Sequence, residues 1–327
     1  MAAAAQQLFM QANPVRQFQL LYCAWHAAVL AIRLRSDHRF YSWFTSSGLS
    51  LATKRGLGAH PCRLYGFISP PRLTPTQLLL VGFGFVLALL LSLAPWAPRV
   101  CVFVAFLLSL CYFPSLFAEN TVSGHPSILT PSVLFILSCA SALDHQVQSG
   151  AEWPLALLRI FLASSYFSSG MCKLLCGIKF GRFWGNGPTL QFYIIDSLWS
   201  RPAGRRLRAL QHWLVGSPRL LTVMATGSLA FEVGFALAPT SDTLGVAFAI
   251  AGFCFHIGIH LLLGLDFVSL WAAALLAFLV GVPAATPWTA ALNGWESEPA
   301  FFLPAALYTG LQVWKREQPC NHRVTTV

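Results

Sequence analysis

Apolar runs close to the length of a membrane-crossing helix recur along most of this chain, and they constrain its fold more than any other feature. A helix that crosses the hydrocarbon layer needs about 20 mostly apolar residues. Runs of this kind stand at roughly 17–32, 76–94, 99–118, 127–143, 154–178, 219–239, 244–264, 267–283 and 299–314. Only 10% of the residues are charged, against about 25% in soluble domains, and the mean hydropathy is +0.62. Pro98, Pro126, Pro154, Pro239 and Pro283 fall at or near run ends, where proline harms a helix least. The pattern predicts an all-α, polytopic bundle of about nine spans, forming a single integral membrane domain over 1–327.

The basic residues then read as sidedness. Arg33, Arg35, Arg39, Lys54, Arg55, Arg63 and Arg72 follow the first run; Lys179, Arg182, Arg201, Arg205, Arg206 and Arg208 follow the fifth; Lys315, Arg316 and Arg323 follow the ninth. With nine spans these segments share one side, as the positive-inside rule requires. The N-terminus is then expected outside or in a lumen, in an endomembrane or organelle membrane, with membrane lipids as partners. The net charge of +10 is explained without nucleic acid. Two long polar loops are expected, at 33–75 and 179–218. The second holds "RRLRALQHWLV", which places Leu207, Leu210, Leu214 and Val215 on one side behind three arginines. It is predicted to be an amphipathic helix in the headgroup region. Nine cysteines, mostly inside apolar runs, form no disulfide framework.

Ionisable groups inside apolar runs mark candidate functional sites. Here they are Arg159, Lys173, Glu232, His256 and His260. Arg159 lies near a helix start and is expected to snorkel to the interface. Lys173 can also snorkel, but Tyr166, Ser169, Gly170 and Gly177 on its face suit a bundle interior, where a desolvated amine is a candidate general base. Glu232 is too short to snorkel and is expected to face inward toward a partner, near the surface that bears Asp144. His256 and His260 share a face at i, i+4, with Asp266 beyond. They read as an acid–base pair at the depth of Lys173, or as metal or haem ligands. A metal would need further ligands, for which His125 is the best candidate.

The segments "LLRIFLASSYFSSGMCKLLCGIKFGRFWGNGPTLQFYI", "FEVGFALAP" and "FHIGIHLLLGLDFVSLWAAALLAF" resemble the HTTM membrane domain, the membrane part of vitamin K-dependent gamma-carboxylase and its bacterial relatives. A looser version occurs in lipase maturation factors. The matching positions are Tyr166, Gly170, Lys173, Trp184, Gly185, Glu232, His256, His260 and Phe267, within an HTTM-like core at 154–283. The resemblance implies Lys173 as base, His256 and His260 as assistants, and a quinol or molecular oxygen as co-substrate. Two departures separate this chain from the carboxylase. It carries no large domain after the last run, and its charge bias puts Lys173 near the cytosolic side. A lipophilic small molecule is therefore the expected substrate, with Glu232 orienting and Tyr166, Ser169, Gly170 and Trp184 lining its site. The competing expectation is a maturation or assembly factor that binds a membrane protein partner without turnover.

Overall fold

The computed structural model describes residues 13–46, 73–94, 98–117, 126–143, 153–180, 183–200 and 204–281. The predicted span at 299–314, together with His125 and Asp144, lies outside them. Among the described residues every regular element is helical. By contact the chain divides into two compact units, Met1–Leu158 and Arg159–Val327.

The first unit holds α1 (Pro14–Ser46), α2 (Pro75–Leu91), α3 (Pro98–Phe117) and α4 (Pro126–Leu143). Neighbours in sequence pack together: α1 on α2, α2 on α3, α3 on α4. Arg16, at the start of α1, donates to the Ser92 and Leu93 carbonyls at 3.0 and 3.3 Å. The first turn of α1 therefore meets the end of α2, and the two helices run antiparallel. Asp37 is buried, accepts from Tyr112 Oη at 3.0 Å and stands 3.5 Å from Arg33. His26 is fully buried, with Nε2 3.4 Å from Thr130 Oγ1 on α4. Sequence reading put a loop from residue 33, yet α1 continues to Ser46. No proline or glycine interrupts 33–46, and the Arg33–Asp37 pair at i, i+4 supports the turn.

The second unit comprises α5 (Trp153–Phe180), which begins just before the boundary, then a 3₁₀ turn (Trp184–Asn186), α6 (Pro188–Ser200), α7 (Arg205–Val215), α8 (Pro218–Gly234) with its 3₁₀ extension (Phe235–Thr240), α9 (Asp242–Leu263) and α10 (Val268–Leu275) running into the 3₁₀ turn Leu276–Phe278. The segment expected as a polar loop at 179–218 is thus largely helix. Pro188 sits at the first position of α6, where its missing N–H is no loss, and α7 coincides with the amphipathic stretch.

Among the described residues, three helices are long and apolar enough to cross a membrane: Trp153–Lys179, Pro218–Thr240 and Asp242–Leu263. Four shorter apolar helices accompany them. The helix Pro75–Leu91 is 17 residues long, about 25 Å at 1.5 Å per residue. The helix at Val268–Phe278 reaches only about 16 Å, short of the expected span 267–283. Hydropathy counts apolar residues whether or not a glycine or a 3₁₀ turn cuts the helix, and so it overstates length here.

Candidate functional site

α5 and α8 approach closely at Gly170. A Cβ there would lie 2.8 Å from Val233 Cγ2 and 2.9 Å from the Val233 nitrogen, so any side chain would force the helices apart. The contact puts the buried side chain of Glu232 against α5. Lys173, one turn after Gly170, sends its side chain back along the helix, as helical geometry favours. Its Nζ donates to both Oε1 and Oε2 of Glu232 at 2.5 Å. Ser169 Oγ donates to Oε1 at 3.4 Å. Lys173 therefore does not snorkel, and the expected displacement of Glu232 toward the opposite surface does not occur. A buried carboxylate needs a cation, and the part-buried Lys173 supplies it.

The Trp-Gly turn places an aromatic face beside this pair. Thr222 and Thr226 of α8 donate to the Asn186 and Gly185 carbonyls at 3.0 and 3.1 Å, which fastens the 3₁₀ turn to α8. Trp184 is thereby held with its ring centroid 4.8 Å from Lys173 Nζ, a cation–π contact.

Two turns earlier on α5, Tyr166 is buried and its Oη lies 2.5 Å from His256 Nε2. Tyr166 also stacks on Phe235 at a centroid distance of 4.1 Å and meets Trp271 edge-on at 5.1 Å. Sequence reading placed Tyr166 among the substrate contacts; its pairing with His256 had no signal in spacing, because the two residues are 90 positions apart. His260, one turn along α9 from His256, is buried, with Nδ1 3.7 Å from Asp266 Oδ1. The turn between them works because Gly264 ends α9 at φ +63°, a left-handed position that favours glycine. Asp266 Oδ1 also accepts from the Ser269 nitrogen at 3.2 Å, which caps α10.

The structure thus brings the sequence-predicted residues into two pairs, Lys173–Glu232 and Tyr166–His256, on the same stretch of α5. Tyr166 and Lys173 are seven residues apart, about 10 Å along the axis. No hydrogen bond or ion pair joins Lys173 to His256 among the described residues. Gly170 is occupied by helix packing. The indole nitrogens of Trp184 and Trp271 and Nδ1 of His256 are buried with no hydrogen-bond partner among the described residues, an arrangement that native proteins tolerate rarely. No three of His, Cys, Asp and Glu stand together as metal ligands among the described residues.

Arg159 departs from its expected snorkelling. Its Nε donates to the Ala277 carbonyl at 2.8 Å and Nη2 to the Val280 carbonyl at 3.0 Å, with Asp242 3.8 Å from Nη1. It caps the helical end at 276–280 and is not part of the site. No protein family, curated protein or solved structure matches this chain.

Proposed function

We propose that this chain is a multi-pass membrane enzyme that acts on a lipophilic small molecule, of the quinone, isoprenoid, pigment or acyl-lipid class, by base-assisted oxidoreductase or lyase chemistry. On this reading it has about nine spans, with its N-terminus outside or lumenal, and the 154–283 core belongs with HTTM-like domains. The observation that carries the reading is the pair of proton-bearing contacts on one stretch of α5: an amine on a buried carboxylate, and a phenol on a buried imidazole. Passing one proton from Nζ to Glu232 leaves the Lys173 amine as the base. The Tyr166 hydroxyl, oriented by His256, handles a second proton. Glu232 orients Lys173 when the charge returns, and His260 holds the end of the histidine helix. A quinol or oxygen would enter as co-substrate.

The test follows the lipid extract of membranes with and without the protein. Lys173→Gln, Tyr166→Phe and His256→Gln, each at wild-type abundance, should abolish the protein-dependent change in the extract. Retention of that change in all three variants would sink the proposal.

A second reading, a non-catalytic maturation or assembly factor, draws on the Lys173–Glu232 pair itself, since its charges are satisfied within the protein. The exchange K173E/E232K separates the two readings. A structural pair works in either order, whereas a catalytic amine moved to α8 does not.

A further inference from the structure

α7 carries its charge at the wrong end. Arg205, Arg206 and Arg208 occupy its first turn, no acidic residue stands there, and no side chain caps its start at Gly204. Cations at a helix N-terminus oppose the dipole, which is positive there. All three arginines are exposed, and none of their side chains forms an ion pair or hydrogen bond among the described residues. The opposite side of the helix is well anchored. Leu214 forms a buried cluster with Ile194 and Leu221, against which Leu262 and Leu263 pack. The buried Gln211 donates from Nε2 to the Leu262 carbonyl at 2.7 Å. α7 therefore lies across the start of α8 and the end of α9, two of the helices long enough to span a membrane. On the membrane-embedded reading, that is the level at which headgroups begin. Trp213 and Leu210 on α7 are 59% and 44% exposed, and Trp199 at the end of α6 is 87% exposed. Such residues suit the acyl–headgroup boundary. Arg219, exposed at the first turn of α8, adds a fourth cation at this end.

We propose that α7 is a docking surface for anionic phospholipid. The headgroup phosphates pair with Arg205, Arg206 and Arg208, and the acyl chains lie against Trp213 and Leu210. Charge complementarity commits the surface to an anionic headgroup, and the flanking indoles commit it to a lipid rather than to free phosphate. Binding at α7 also steadies the end of the helix that carries His256 and His260, through the Gln211–Leu262 hydrogen bond. The inference rests on the membrane-embedded part of the proposed function and not on its chemistry.

The test uses the full chain in phosphatidylcholine nanodiscs that contain increasing phosphatidylglycerol, with retained lipid counted by native mass spectrometry. Phosphatidylglycerol should be enriched over phosphatidylcholine, and the enrichment should fall as salt rises. The R205Q/R206Q/R208Q variant, checked for unchanged helicity, should weaken it by about fivefold per arginine removed. Equal enrichment in the variant overturns the proposal, as does displacement of the lipid by millimolar inorganic phosphate. Carbonate extraction of membranes provides the separating arm. A chain that washes off refutes the embedded reading itself, whereas one that stays without preferring phosphatidylglycerol refutes only the lipid site.

Discussion

Gly170 sets how near the amine of Lys173 comes to its carboxylate. The close approach to Val233 leaves no room for a methyl group, and the atoms it would meet are backbone as well as side chain, so neither helix yields cheaply. Gly170→Ala should destabilise the protein by about 1–3 kcal/mol, measured as a lowered Tm in detergent. A variant with unchanged Tm would mean that α5 and α8 are looser than this packing implies. Tyr166→Phe removes only a hydroxyl but strands the Nε2 of a buried histidine. The expected cost is about 1–3 kcal/mol, again read from thermal unfolding, with packing otherwise preserved because the ring stays stacked on Phe235. The sequence exposed these residues as anomalies, small or polar side chains in apolar surroundings, but not their partners. Glu232 had to find a cation, and Lys173 could have answered it or reached for headgroups with equal chemical sense. Only the helix approach at Gly170 decides between them.

Helix ends follow a shared device in the two units. In the first, Arg16 reaches the carbonyls that end α2; in the second, Arg159 reaches those at Ala277 and Val280. The last carbonyls of a helix have no partner within it, and where water is excluded a guanidinium can satisfy two of them while opposing the negative end of the dipole. Arg159→Met keeps the length and the apolar stem but orphans both carbonyls. It should cost about 3–6 kcal/mol, since each of the two bonds from a charged donor contributes about 1.5–3 kcal/mol. Faster amide hydrogen exchange confined to 268–281 is the local signature to look for. If exchange there is unchanged, Arg159 is not the cap. Hydropathy reading assigned this arginine to the membrane surface because depth along α5 was all it could measure. The hydrogen-bonding demand came from a helical end more than a hundred residues away. The helix at 205–215 was legible by contrast, because its periodicity and its arginines are local.

At the scale of the whole molecule, composition already pointed to helices and a membrane, and the described residues are helical with three elements long and apolar enough to cross one. The number of crossings depends on the remaining helices. α1 is 33 residues long yet carries Arg33, Arg35, Asp37 and Arg39 in its second half, so only its first half can lie in hydrocarbon, and Arg16 and Asp37 are held by partners within the unit. Sidedness turns this into a measurement. If nine segments cross, the basic stretches at 33–72, 179–219 and 315–323 all face the cytosol and the N-terminus faces the other way. Single cysteines introduced at 55, 206 and 316 in a cysteine-free background should then react with an impermeant maleimide only after the cytosolic face is opened. One introduced at residue 4 should react from the outside or lumen. Labelling of residue 4 together with the other three would remove the first crossing and leave eight. That result would not disturb the Lys173–Glu232 pair, because both residues lie within the second unit, and on the nine-span reading the basic residues of 179–219 would still mark the cytosolic end of α5 and α9. A split among 55, 206 and 316 themselves would be more damaging. It would require an odd number of crossings between two of them, and so would displace α7 from the side on which its arginines meet anionic lipid.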